Sequence, residues 1–178
     1  IKILQKDLSE FILERLKNYL KEKQIRNDII ESSMNISNID EILKIYKKSL
    51  ALNKNIKKDF GKDVISIYKR SSNILNSEKE NFSEIIGLAD PGLFKNDFEK
   101  NLYKRIHDIK KYFSSIGKSE NYDESLKTLS LAKNEIDAFF ANVIVNDNDP
   151  IIKKNRLELL KMLCKSFENY FNFSKIEA

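Results

Sequence analysis

Four glycines and two prolines punctuate 178 residues, and a chain with so few turn formers has to run mostly as long helices. A β-sandwich of this length needs turn signals roughly every 8–12 residues, which this sequence does not have. Hydrophobic residues make up 41% and charged residues 33%, the profile of a globular chain with enough length to bury a core. One helical domain over residues 1–178 is the expected organisation. The chain starts at Ile1, already inside a helical pattern, and reads as a segment cut from a longer cytoplasmic protein. No stretch approaches the apolar length of a membrane span, and no signal peptide is visible.

The apolar residues recur at helical spacing almost throughout. Leu4, Leu8, Phe11, Ile12, Leu16, Tyr19 and Leu20 form a first stripe, and a short helix follows around Asp28 to Met34. Ser37 and Asp40 have capping-box spacing ahead of Ile39, Ile42, Leu43, Tyr46 and Leu50. The next helix carries Ile65, Tyr68, Ser72 and Leu75 on one side. Residues 76–91 form the longest irregular stretch, with room for a turn of helix at Phe82 to Ile86. Asp90-Pro91 predicts a capped helix start, with Phe94, Phe98, Leu102, Ile106, Ile109 and Phe113 following until Gly117. Asn121 and Glu124 predict the cap of a helix whose core side is Leu126, Leu129, Ile136, Phe139 and Phe140. Asp149-Pro150 starts the last helix, with Leu157, Leu160, Leu163, Cys164, Phe167, Tyr170 and Phe171 facing inward. Val143-Ile144-Val145 is β-rich but too short and isolated to found a sheet. The fold class is all-α, a bundle of about seven helices.

Little catalytic chemistry is on offer. The glycines are scattered and none opens a phosphate loop. Cys164, the sole cysteine, falls on an apolar stripe and reads as core packing. His107, the sole histidine, reads as a partly exposed structural residue, and a lone histidine removes most zinc sites. Asp147 and Asp149 read as capping groups. The net charge is +5, and residues 41–80 supply the excess with ten Lys/Arg against five Asp/Glu. A localised basic surface suits a polyanion, although a solvated lysine face has the same composition.

Four segments, in order, resemble one known family. They are "FILERLKNYLKEKQIRNDIIESSM" (residues 11–34), "YKRSSNIL" (68–75), "DPGLFKNDFEKNLYKRI" (90–106) and "IDAFFANVIV…DNDPIIKKNRLELLKML" (136–163). Together they resemble the C-terminal part of the β subunit of bacterial heterotetrameric glycyl-tRNA synthetase. The resemblance implies a class I synthetase-type anticodon-binding domain, related to the one that ends arginyl-tRNA synthetase. It implies glycine tRNA as the ligand, and the rest of the β subunit and the α subunit as partners, with neither DNA nor membrane. ATP-dependent activation belongs to the α subunit, so no cofactor is expected in this segment. Where the family has an acid after the paired phenylalanines, this chain has Ala141. That acid is a natural partner for Arg156, and Asn142 and Asp147 are the available substitutes.

An anticodon loop offers a phosphate backbone and unstacked bases, which call for cations and for amide or planar groups. Lys69, Arg70 and Asn73 meet that need on one helix within the basic region. The competing reading has Arg70 and Asn73 tying that helix to the acidic turn. Lys153, Lys154 and Arg156 form a second RNA-binding candidate at a helix N-terminus, where the dipole favours phosphate. Tyr46 and Tyr68 have the chemistry to stack on bases but lie on apolar stripes, and Phe139 and Phe140 belong to the core. Two further readings remain open: a non-catalytic helical scaffold or adaptor, and the homologous domain of arginyl-tRNA synthetase.

Overall fold

The last long helix is buried on nearly every side. The computed structural model describes residues 2–34, 42–79, 81–82, 85–116 and 120–177, with backbone alone for 2–7 and 116. Eight α-helices lie in this part: α1 (Lys2–Glu22), α2 (Asn27–Ser33), α3 (Ile42–Asn55), α4 (Asp59–Ser77), α5 (Asp97–Ile116), α6 (Tyr122–Ser130), α7 (Lys133–Asn142) and α8 (Pro150–Glu168). Short 3-10 turns occupy Pro91–Leu93 and Phe173–Lys175. No strand occurs among the described residues. Helix α8 packs against α4 and α5, α6 against α4 and α3, and α7 against α5. The final 3-10 turn is wedged between α2 and α4. Leu157, Leu159, Leu160, Leu163, Cys164 and Phe167 of α8 are all buried, and Phe139, Phe171 and Phe173 close around the same core. A helix buried all round need not be amphipathic.

Several boundaries differ from the periodicity. The predicted helix over 121–140 is two helices, which raises the count from seven to eight. Asn121 caps α6 as expected, accepting the Glu124 N–H at 3.2 Å. The break at Leu131–Ala132 keeps helical dihedrals and only tightens, with i→i+3 bonds from Leu131 and Ala132 N–H at 3.2 and 3.3 Å. It needs neither glycine nor proline and leaves no mark in the sequence. Asp90-Pro91 opens a 3-10 turn, with Gly92 N–H on Asp90 Oδ1 at 2.8 Å, and α5 starts six residues later. Its start is a reciprocal box: Glu99 N–H donates to Asn96 Oδ1 and Asn96 N–H to Glu99 Oε2, both at 3.1 Å.

The stripes on the first helices are also corrected. Leu20 and, in part, Leu16 face inward, whereas Leu8, Phe11 and Tyr19 are exposed. On α3 the core face is Ile45, Ser49, Leu52 and Asn55 with Lys48, and the predicted Leu43 and Leu50 lie outside. Polar residues on the inner face concealed its period. The Ser37–Asp40 cap, Ile39 and Gly117 lie outside the described residues.

Two glycines answer to geometry. A Cβ on Gly61 would stand 2.1 Å from the Asn55 carbonyl oxygen, so the start of α4 can cross the end of α3 only with glycine there. Gly87 has φ +76° and rides against the α8 backbone at Met162.

The irregular stretch before α5 is held by polar residues of α8. Glu158 accepts the Ile86 and Leu88 N–H groups at 3.2 and 3.0 Å and the Gly87 N–H between them. Asn155 accepts from Asp90 N–H at 2.7 Å and donates to Asp90 O at 3.0 Å. Arg156, 5% exposed, donates from Nε to Glu99 Oε1 at 2.6 Å. Its Nη1 donates to Ile144 O at 2.8 Å and Asp147 Oδ2 at 2.5 Å. Glu99 is 1% exposed and also accepts the Lys95 N–H at 2.6 Å.

Two outcomes follow. Arg156→Ala strands the buried Glu99 carboxylate and is expected to cost about 3–5 kcal/mol in urea unfolding, with the Arg156→Met, Glu99→Leu pair losing less. A loss below about 1 kcal/mol would show that the knot is dispensable. Acid is the second lever. Lys153 holds the Glu78 carboxyl below its ordinary range, the Asn55 amide and Lys54 do so for Asp123, and the Asp149 N–H and Arg156 for Asp147. Carboxyls depressed in the fold stabilise it above their unfolded pKa values, about 4, and that contribution disappears as pH falls through the folded values. Melting temperature is expected to fall below about pH 4, with a shallower slope in Asp147→Asn.

Candidate nucleic-acid interface

The six residues singled out in the sequence separate into three groups. Lys69 and Asn73 lie on the outer side of α4, half-buried and exposed, with no ion pair or side-chain hydrogen bond to a described residue. Arg70 shares that side, but its guanidinium lies over the Phe140 ring at 4.1 Å and 3.9 Å from Asp137. It ties α4 to α7 and not to the acidic turn, while leaving about half of its side chain in solvent.

The second cluster is mostly structural. Arg156 is corrected from RNA contact to internal clamp, because its buried guanidinium is engaged by Glu99, Asp147 and Ile144. Asp147 does take the place of the acid missing at Ala141, and Glu99 is a second partner that the chain order conceals. Lys153 is corrected too: it pairs with Glu78 at 2.8 Å and covers the Phe82 ring at 5.4 Å. Only Lys154 stays exposed. The α8 N-terminus is also capped by a carboxylate, with Ile151 N–H on Asp149 Oδ1 at 2.9 Å, so its positive end is already answered.

Beside Lys69 and Asn73, α4, α8 and the C-terminal turn enclose a cleft of about 390 Å³. Tyr68, Ser72 and Asn76 supply one wall, spaced four apart on α4, and Lys161 and Glu168 the facing wall. Asn172 and Ser174 close the end, with Ser174 Oγ donating to Asn172 Oδ1 at 2.5 Å. Tyr68 is buried against Phe167 and Phe173, as expected of a core residue, but its hydroxyl reaches the cleft and donates to Glu168 Oε1 at 2.9 Å. Burial and the Glu168 carboxylate push its pKa up, so the phenol stays neutral. Cys164 lies in the floor, and burial pushes its thiol up to about 12. It is a packing group, not a nucleophile.

This cleft presents amides, hydroxyls, one ammonium, the Glu168 carboxylate and a fixed neutral phenol. That is chemistry for reading polar edges, not for breaking bonds. Among the described residues no three metal-ligating side chains converge, and His107 is exposed beside Tyr103. Asn76, Lys161, Asn172 and Ser174 were missed. Asn76 follows Tyr68 and Ser72 on one face and was findable by spacing, whereas the other three join only through tertiary packing. The basic excess is partly spent within the fold, on Lys47–Glu120 at 2.5 Å and Lys54–Asp123 at 3.0 Å, while Lys48 is buried against the Tyr122 and Phe171 rings. No helix in the described residues is long and apolar enough to cross a membrane.

Known proteins resemble this chain in sequence. The family model described as DALR anticodon binding domain matches residues 64–178, from within α4 through the whole cleft. The glycine–tRNA ligase beta subunit of Rickettsia felis is 34% identical over 176 residues, which cover 96% of this chain and 24% of that protein. The beta subunit of Rickettsia prowazekii is 34% identical over 170 residues, covering 93% and 24%. The chain thus spans about a quarter of the length of the curated relatives it matches.

A buried, protonated Cys164 is expected to resist a thiol reagent at pH 8 for as long as the fold holds and to react at once in guanidinium. Rapid reaction of the native protein would mean that the cleft floor opens.

Proposed function

Since this chain belongs to the DALR anticodon binding domain family, we propose that it is the anticodon-arm binding module of a glycine–tRNA ligase beta subunit and forms one helical domain of that longer cytoplasmic polypeptide. In this reading it holds glycine tRNA while an α subunit of a heterotetramer carries out ATP-dependent aminoacylation. This segment contributes binding alone and needs no cofactor.

The observation that carries the proposal is the α4–α8 cleft, which lies inside the family match. Lys69, and Arg70 from its place over Phe140, meet the phosphate backbone at the rim. Asn73, Asn76, Lys161 and Asn172 offer donors and acceptors to base edges, which suits unstacked loop bases. The identity to glycine–tRNA ligase beta subunits favours the glycyl over the arginyl assignment.

Binding to glycine tRNA transcripts tests this, with the anticodon ending C-C compared against variants at those two bases over a salt series. About 1–3 kcal/mol lost per wrong base is expected. Asn76→Ala is expected to flatten that discrimination. Lys69→Ala is expected to weaken all transcripts alike and reduce the salt slope by about 1. Binding that ignores the anticodon and collapses with salt would make the domain a scaffold with an incidental basic face.

A further inference from the structure

Helices α1 and α3 each carry an apolar stripe that the fold leaves unused. On α1, Leu8, Phe11, Arg15 and Tyr19 share the outer side, with Leu8 53% and Phe11 56% exposed. On α3, Leu43 and Leu50 are exposed, on the same stripe as Tyr46, which is half-buried against the core. The Tyr19 and Tyr46 rings meet at 6.2 Å and join the two stripes into one face. The inner sides of both helices are packed, through Leu20 on α1 and Ile45 and Leu52 on α3. Scattered exposed apolar residues are ordinary; a joined face of five large ones across two seated helices marks a contact surface.

Two observations indicate what covers it. Helices α1–α3 precede the family match at 64–178, yet the alignment to the longer relatives covers nearly the whole chain. Those relatives carry about three quarters of their length outside the region aligned here. The face also carries cations, with Arg15 over the Phe11 ring at 5.0 Å and Lys23 over Tyr19 at 5.5 Å.

We infer that the α1–α3 face is an interdomain interface, covered by an apolar surface from the same subunit's polypeptide outside these 178 residues, with acidic side chains opposite Arg15 and Lys23. The inference rests on the reading that the chain is part of a longer beta subunit.

The test is maleimide labelling of the full-length subunit carrying Phe11→Cys, Tyr19→Cys or Leu43→Cys, read by peptide mass. Leu131→Cys, on an apolar residue exposed elsewhere, is the reference, and the buried Cys164 stays silent. The three sites are expected to label at least about tenfold more slowly than the reference, an opening free energy of at least about 1.4 kcal/mol. Adding Arg15→Glu is expected to speed labelling at position 11. Rates equal to the reference overturn the interface. Protection lost on dilution assigns the face to a second copy, and protection only with added tRNA assigns it to RNA; either overturns it. Anticodon discrimination measured on the same variants keeps the two readings apart. Fast labelling with discrimination intact removes the interface alone, and slow labelling without discrimination removes the anticodon reading alone.

Discussion

A guanidinium buried at the centre of a helical bundle is expensive to desolvate and holds its place only when each donor is met. Arg156 is held from two segments: the start of α5 through Glu99, and the α7–α8 connection through Ile144 and Asp147. Its neighbours Asn155 and Glu158 do the same for the stretch before α5. The irregular backbone just before α5 and between α7 and α8 is therefore tied to one helix by three polar side chains within four residues. Removing any one leaves buried backbone groups or a buried charge without a partner, which costs more than the contact itself contributes.

This arrangement explains why the most recognisable stretch of the chain is not the proposed RNA-facing surface. The paired phenylalanines and the Asn-Arg-Leu run assemble the core and pin the loops. Phe140 comes nearest to a function, since its ring sets the position of Arg70. The cleft lies farther along α8, where Lys161 and Glu168 face α4. A signature can mark a family through its packing, and the binding chemistry can sit one or two turns away on the same scaffold.

The helical class, the caps at Asn121 and Asp149 and the inward stripe of α8 were legible because local chemistry decides them. The inner face of α3 was not, because Lys48, Ser49 and Asn55 are buried there and their polarity pointed the reading to the opposite side. The α6–α7 break was invisible because it needs no special residue. In the candidate site, Lys69 and Asn73 were legible by composition and position. Arg156 was misread because its main partner is 57 residues away, and no helical spacing reports such a pair. Asn172 and Ser174 enter the cleft only because the chain turns back after α8.

The loop at Gly87 has a consequence for anion binding. Three successive backbone N–H groups, from Ile86 to Leu88, converge on one carboxylate, the geometry of a nest that elsewhere cradles phosphate. Here the chain supplies the anion itself. The nest is occupied by Glu158 and so is closed to phosphate, which leaves the proposed RNA contacts to side-chain cations on other faces.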